Sequence, residues 1–308
     1  MMDKELSDYR IGIDLGGTKI EGVVLDAKGR VLFRERIPTG QEKGYDHILL
    51  CLREIYDQMK HRIADMPHTL GLATPGAFSK KTGFLKNSNT LCLNGRLCHR
   101  DLERVFDHPV AVENDANCFA MAEALFGAGA GYNLVFGVIL GTGCGGGIVY
   151  KGELIRGPQA IAGEWGHMVL DPSGPRCYCG ASGCVETFIS GGGLESSYER
   201  QFGRRLELQE IIKNYRNQDS EALGFMKEFF AHFGQALANL INILDPDIVV
   251  LGGGVSNIDE LYAEGVEAVR RRVFSDELLT PITRHVLGDS AGVLGAAAIG
   301  KGSEHEAL

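Results

Sequence analysis

Three cysteines and one histidine fall within 18 residues of this chain, as His167, Cys177, Cys179 and Cys184; the other five of its eight cysteines are scattered. The spacing is H-x9-C-x-C-x4-C. One residue between Cys177 and Cys179 is too little for a comfortable disulfide, and no C-x-x-C redox pair is present. One imidazole and three thiols suit tetrahedral Zn²⁺, with Gly180 and Gly183 letting the loop turn around an ion. Free thiols in a loop are the alternative. Four protein ligands leave no position for water, so such a zinc would be structural. Glu164 lies three residues before His167, and Glu186 two after Cys184. Carboxylates fixed there can accept hydrogen bonds from hydroxyl groups, and His167 can reach the same ligand with its second ring nitrogen.

Glycine clusters are the second signal, in a chain with 42 glycines. Gly141-Thr142-Gly143-Cys144-Gly145-Gly146 satisfies G-x-G-x-x-G, but strand-like Ile148-Val149-Tyr150 follows where a dinucleotide fold needs a helix. That tells against a dehydrogenase. A Walker A sequence is absent, and no HRD or DFG element accompanies the loop. What remains is a glycine hairpin whose backbone N–H groups can approach a phosphate. Asp14-Leu15-Gly16-Gly17-Thr18-Lys19 is a second such hairpin. Thr18, Lys19 and Thr142 add donors, while Asp14 repels phosphate directly and is suited to a Mg²⁺ ion or its water shell. Gly252-Gly253-Gly254 follows a buried-strand pattern. Tight turns are the alternative for any one of these clusters. Asn114-Asp115 sits where a strand pattern gives way to a helix pattern; from residue types alone it reads first as a helix cap.

The elements that must hold these residues alternate. Residues 10–25 and 134–150 each read as strand, glycine turn, strand, about 125 residues apart, followed by a polar turn and more strand. This points to an internal duplication. Apolar residues at helix spacing mark 44–65, and 115–127 is rich in helix formers. A stripe from Phe229 to Leu244 should stop at Pro246. Residues 247–254 read as a strand entering a glycine loop, 256–274 as a helix capped by Ser256 or Asn257, and 292–300 as a small-residue helix. The order is that of an α/β protein with two similar domains.

Net charge is −9, from 40 acidic and 31 basic residues, which argues against a general nucleic-acid binder. No signal peptide or membrane-spanning segment is apparent, so a cytoplasmic location is expected. In that compartment Cys51, Cys92, Cys98, Cys118 and Cys144 are expected to be ordinary thiols.

IDLGGTK, NDAN, GTGCGGG, GEWGH, CYCGASGC with Glu186, and DPDIVVLGGG occur in the order found in ROK-family sugar kinases, and the resemblance runs from about residue 10 to 300. It implies two ribonuclease-H-like domains of the actin-like ATPase/sugar kinase fold with a cleft between them. Residues 1–116 plus 291–308 would form the first, which the last helix rejoins, and 117–290 the larger second with the zinc loop. It implies MgATP as cosubstrate, zinc on His167, Cys177, Cys179 and Cys184, and a homodimer. Asp115 would be the general base for the 6-hydroxyl of a hexose. Asn114, Glu164, His167 and Glu186 would bind the sugar, with Gly76 and Asn89 from two loops resembling those that line the sugar site. Asp14, Gly16, Gly17, Thr18, Lys19, Thr142 and Gly143 would serve the phosphates, and Gly253, Gly254 and Asn257 the adenosine. KNSNTLCLNG and ETFISG look most like bacterial fructokinases, so the expectation leans to fructose over glucose or mannose; N-acetylglucosamine or N-acetylmannosamine is the alternative acceptor. Sugar-sensing repressors of the family are a non-catalytic alternative, but those carry a helix-turn-helix before the first hairpin, which here begins near residue 10.

Overall fold

The structure is a computed structural model, described for residues 9–88 and 90–300. Its contacts divide the chain into two units. One runs up to Ala122 and resumes at Leu287; the other is Glu123–Val286.

In the first unit, β1 (Tyr9–Leu15), β2 (Lys19–Asp26), β3 (Val31–Pro38), β4 (His68–Thr74) and β7 (Ala111–Asn114) form one sheet in the order β3-β2-β1-β4-β7. A two-residue pair, β5 (Ala77–Phe78) with β6 (Leu85–Lys86), stands beside it in sequence. In the second unit, β8 (Leu134–Leu140), β9 (Cys144–Tyr150), β10 (Glu153–Ile155), β11 (Ile248–Gly252) and β12 (Ile282–Arg284) form a sheet in the order β10-β9-β8-β11-β12. The two orders are the same: an antiparallel hairpin and its third strand, then two strands parallel to the first. The duplication and the mixed sheets are those of the ribonuclease-H-like, actin-like sugar kinase fold.

Helix α1 (Tyr45–Arg62) buries Ile48, Leu52, Ile55 and Met59 on the first sheet, the expected stripe. Helices α2 (His99–Phe106) and α3 (Asp115–Phe126) follow, and α3 carries the chain from the first unit into the second. In the second unit come α4 (Val185–Ile189), α5 (Gly191–Phe202), α6 (Leu208–Arg216), α7 (Ser220–Leu244) and α8 (Glu264–Arg270). Asp219 caps α7 by accepting from Ala222 N–H, and the helix ends with Asp245 at φ 45° just before Pro246. No helix among the described residues is long and apolar enough to cross a membrane.

Helix α9 (Ala291–Ile299) closes the first unit, and its composition has a steric cause. A Cβ at Gly12 of β1 would lie 2.3 Å from Val293 O, and one at Gly71 of β4 would lie 1.9 Å from Ala296 O. Only glycines on the sheet and small residues on the helix allow backbone to approach so closely.

The predicted helix over 256–274 is corrected. The segment makes two 3-10 turns, Gly254–Asn257 and Asp259–Tyr262, before the seven-residue α8. Ser256 O, which a helix would use for its own ladder, accepts instead from Tyr262 Oη at 2.8 Å and Arg284 Nε at 2.9 Å. Ser256 Oγ turns back to donate to Gly253 O, so neither Ser256 nor Asn257 caps a helix.

Candidate active site

The first unit gathers Asp14, the first glycine hairpin, Gly76, Asn114 and Asp115. Gly16 N–H donates to Lys19 O at 3.0 Å, closing the turn between β1 and β2. Thr39 braces it from outside, with its N–H on Thr18 O and its hydroxyl on Gly16 O. Thr18 is exposed, and Lys19 Nζ lies 3.9 Å from Glu21. Glu21 is 1% exposed and was not singled out from the sequence. Arg36 Nε donates to it at 2.8 Å, Arg34 lies at 3.6 Å, and the Ser290 hydroxyl donates to it at 3.2 Å.

Asp14, one residue before the end of β1, lies opposite Glu21. Burial, then Asp115, then Glu21 push its carboxyl up to about 7; Lys19 and Arg36 oppose them. Asp14 and Asp115 therefore share one electrostatic neighbourhood. Gly292, in the first turn of α9, is packed on Asp14: a Cβ there would lie 2.6 Å from Asp14 Oδ2.

Asn114 Oδ1 accepts from Asn117 N–H at 2.7 Å, so Asn114 does cap α3. Asp115 is exposed, and its Oδ1 accepts from Ala116 N–H. Gly76, at φ 87°, lies against the second loop: a Cβ would be 2.4 Å from Lys86 O. Asn89 lies outside the described residues.

The second unit gathers the rest. In the hairpin between β8 and β9, Gly141 N–H donates to Gly143 O. The first amides of α5 do not point into open space: Gly191 N–H donates to Gly141 O and Gly192 N–H to Thr142 O. Those bonds fasten the carbonyl side of the hairpin to α5. Gly253, at φ 79°, packs on the same place, since a Cβ would lie 2.4 Å from Leu140 O. Gly254 and Asn257 follow in an exposed turn.

His167, Cys177, Cys179 and Cys184 present ligand atoms that all lie within 4.8 Å of one another. Cys177 Sγ is 3.6 Å from His167 Nδ1, and Cys179 Sγ is 3.6 Å from Cys184 Sγ. Zinc at its usual bond lengths spaces two tetrahedral sulfurs by about 3.8 Å, and nitrogen from sulfur by about 3.6 Å. Donor set and spacing fit that ion. Burial pushes the Cys184 thiol up to about 12 and raises that of Cys177, while the Ala181 N–H holds Cys179 lower. A cation is what would draw protons from the two buried thiols.

Glu164 stands exposed at the start of the Trp165–His167 turn. Glu186, on α4, does more than flank the loop. Its Oε2 accepts from Cys144 N–H at 2.9 Å, and its Oε1 lies 4.0 Å from Cys177 Sγ. It thus joins the loop of Cys177 to the hairpin between β8 and β9. His167 Nε2 is occupied as well, by the Tyr178 hydroxyl at 3.0 Å.

The ROK family model matches residues 10–303. The chain belongs to the ROK family. N-acetyl-D-glucosamine kinase of Pectobacterium atrosepticum is 37% identical over 296 residues, covering 93% of this chain and 97% of the relative. Among solved structures, a ROK hexokinase from Thermus thermophilus is 35% identical with a TM-score of 0.85, over 94% of this chain and 97% of that one. A ROK family glucokinase from Streptomyces griseus, in complex with glucose and AMPPNP, is 29% identical with a TM-score of 0.74, over 94% and 98%. As a ROK sugar kinase the protein is an ATP-dependent phosphotransferase.

Proposed function

We propose that this ROK kinase transfers the γ-phosphoryl group of MgATP to the 6-hydroxyl of an N-acetylhexosamine, N-acetylglucosamine first among them. The observation that carries this is the 37% identity, end to end, with a kinase of that name. Fructose remains a second reading, supported by the likeness of KNSNTLCLNG and ETFISG to fructokinases.

Asp115 is assigned as the base that takes the proton of the attacking hydroxyl. It is exposed at the start of α3, with one oxygen steadied by Ala116 N–H. Transfer passes through a loose transition state, so positioning and charge neutralisation outweigh base strength. Asp14, held next to Asp115, is assigned to Mg²⁺ or its waters, because a divalent cation offsets the burial and like charge that otherwise keep it protonated near neutrality. The amides and hydroxyls at Gly17, Thr18 and Lys19, in a turn that the Gly16 amide closes, and at Thr142 and Gly143, serve the phosphates; Gly253, Gly254 and Asn257 serve adenosine. Asn114 acts through its side-chain N–H₂, since Oδ1 is spent on the cap. It binds the sugar together with Gly76, Asn89, Glu164, His167 and Glu186. Zinc, when bound, fixes the loop that presents the last three of these. A homodimer in the cytoplasm completes the reading.

The test is ADP release from MgATP with N-acetylglucosamine, N-acetylmannosamine, N-acetylgalactosamine, fructose, glucose, mannose and no sugar. N-acetylglucosamine far above the rest supports the first reading; fructose in that place supports the second. No sugar above the blank would overturn both.

A further inference from the structure

Tyr178 lies between two of the cysteines and is not itself a ligand candidate. Its hydroxyl is 3.0 Å from His167 Nε2, and the two rings meet edge to face with centroids 5.2 Å apart. The other ring nitrogen, Nδ1, faces the thiols, 3.6 Å from Cys177 Sγ. With Nδ1 turned to a metal, Nε2 carries the proton and donates to the phenol. Tyr178 thus accepts from the histidine and has the carboxylates of Glu186 and Glu164 in electrostatic reach. A sugar hydroxyl placed on His167 Nε2 would take the same bond. Tyr178 also lines, with Thr142, Cys177, Glu186 and Gly192, a cavity of about 280 Å³.

We propose that Tyr178 is a specificity-determining residue whose phenol stands in for the acceptor hydroxyl on His167 Nε2 and must be displaced by the sugar. This rests on the reading of the site as a sugar site. The backbone at Tyr178 is held by the turn in which Cys177 N–H donates to Ala181 O and Gly180 N–H to Cys177 O. The side chain is 70% exposed, so the ring can swing away while its neighbours stay in place. An acceptor whose hydroxyl can replace the phenol exchanges one hydrogen bond for another. A deoxy analogue leaves Nε2–H unpaired, or leaves the tyrosine where it is, and is rejected.

The experiment compares wild type with Tyr178→Phe and Tyr178→Ala, using N-acetylglucosamine and fructose. Calorimetry should show both variants binding the accepted sugar about fivefold more tightly, the factor equivalent to one net neutral hydrogen bond, with the KM for MgATP unchanged. A second readout is zinc release to a chelator. In wild type the rate should be indifferent to sugar, because Nε2 is always partnered. In Tyr178→Phe release should quicken without sugar and return to the wild-type rate with it, as loss of an outer partner weakens a histidine ligand. Unchanged or weaker sugar binding in both variants overturns the proposal, weaker binding making Tyr178 a direct sugar contact. A wild-type protein that binds neither sugar while turning over another hexose overturns this inference and leaves the site reading standing. One that binds and phosphorylates no sugar overturns the site reading and this inference together.

Discussion

Asp14 and Asp115 face different solvation problems. Asp115 stands in water, so removing its charge should leave the fold alone. Asp115→Asn should lower kcat by about 10²–10⁴-fold, the range for a lost general base, with a melting temperature no lower than that of wild type, because the change also lifts a like charge from Asp14. Steady-state kinetics beside a thermal melt check this, and full turnover would remove Asp115 as the base. Asp14 keeps its proton in the folded state up to about pH 7, whereas an unfolded aspartate loses it near pH 4. Its contribution to stability is therefore complete below about pH 4 and is lost as pH rises to 7. Asp14→Asn, which cannot titrate, should match wild type near pH 4 and melt a few degrees higher at pH 8. Mg²⁺ at pH 8 should raise the wild-type melt and not that of the variant. A melting series from pH 4 to 8 decides; a gap of the opposite sign would refute the assignment. Glu21 and Tyr178 were not legible in the sequence. One is a glutamate in an apolar strand whose partners, Arg34, Arg36 and Ser290, come from elsewhere in the chain. The other is a spacer between two ligands, and only three dimensions place it on His167.

The loop with the four candidate zinc ligands is an element with little regular structure, closed by a few contacts that demand particular residues. Gly183 is the tightest: at φ 71° its Cβ would lie 1.5 Å from Asp171 O, and its own carbonyl accepts from Leu170 N–H. Such a loop would gain most of its definition from an ion held by its four candidate ligands. Metal analysis should find one zinc per chain, and none after Cys177→Ser with Cys179→Ser. Glu186 accepts from Cys144 N–H, so that double variant should raise the KM for MgATP as well as for the sugar. An unaltered KM for MgATP would break the proposed link between loop and hairpin. Other elements were readable in advance because their signals are local. The two glycine hairpins, α1, α3 and the end of α7 follow from periodicity and from Pro246. The stretch 256–274 was misread because Arg284, a residue of another strand, takes the carbonyl that would have begun the helix. At Asn114 the helix cap read from the residue type is real, and it occupies the amide oxygen.

On the scale of the molecule, one sheet order occurs twice, and the sequence already carried that repetition in its two strand–glycine–strand segments. The boundaries are less visible from the sequence, because α3 runs through one of them without a break. The first unit depends on α9, whose backbone fits against Gly12 and Gly71. A chain ending after Val286 should therefore lose the first unit's cooperative melt while the second unit stays folded. Limited proteolysis should leave a resistant fragment close to Glu123–Val286; equal protection of both units would show that α9 is dispensable. The same arrangement sets an order on the chain's own synthesis. Domains ordinarily fold as they emerge, the earlier before the later. Here the part made first must wait, with Gly12 and Gly71 uncovered, until residues 291–299 have left the ribosome, and the uninterrupted second unit is the one able to fold ahead of it.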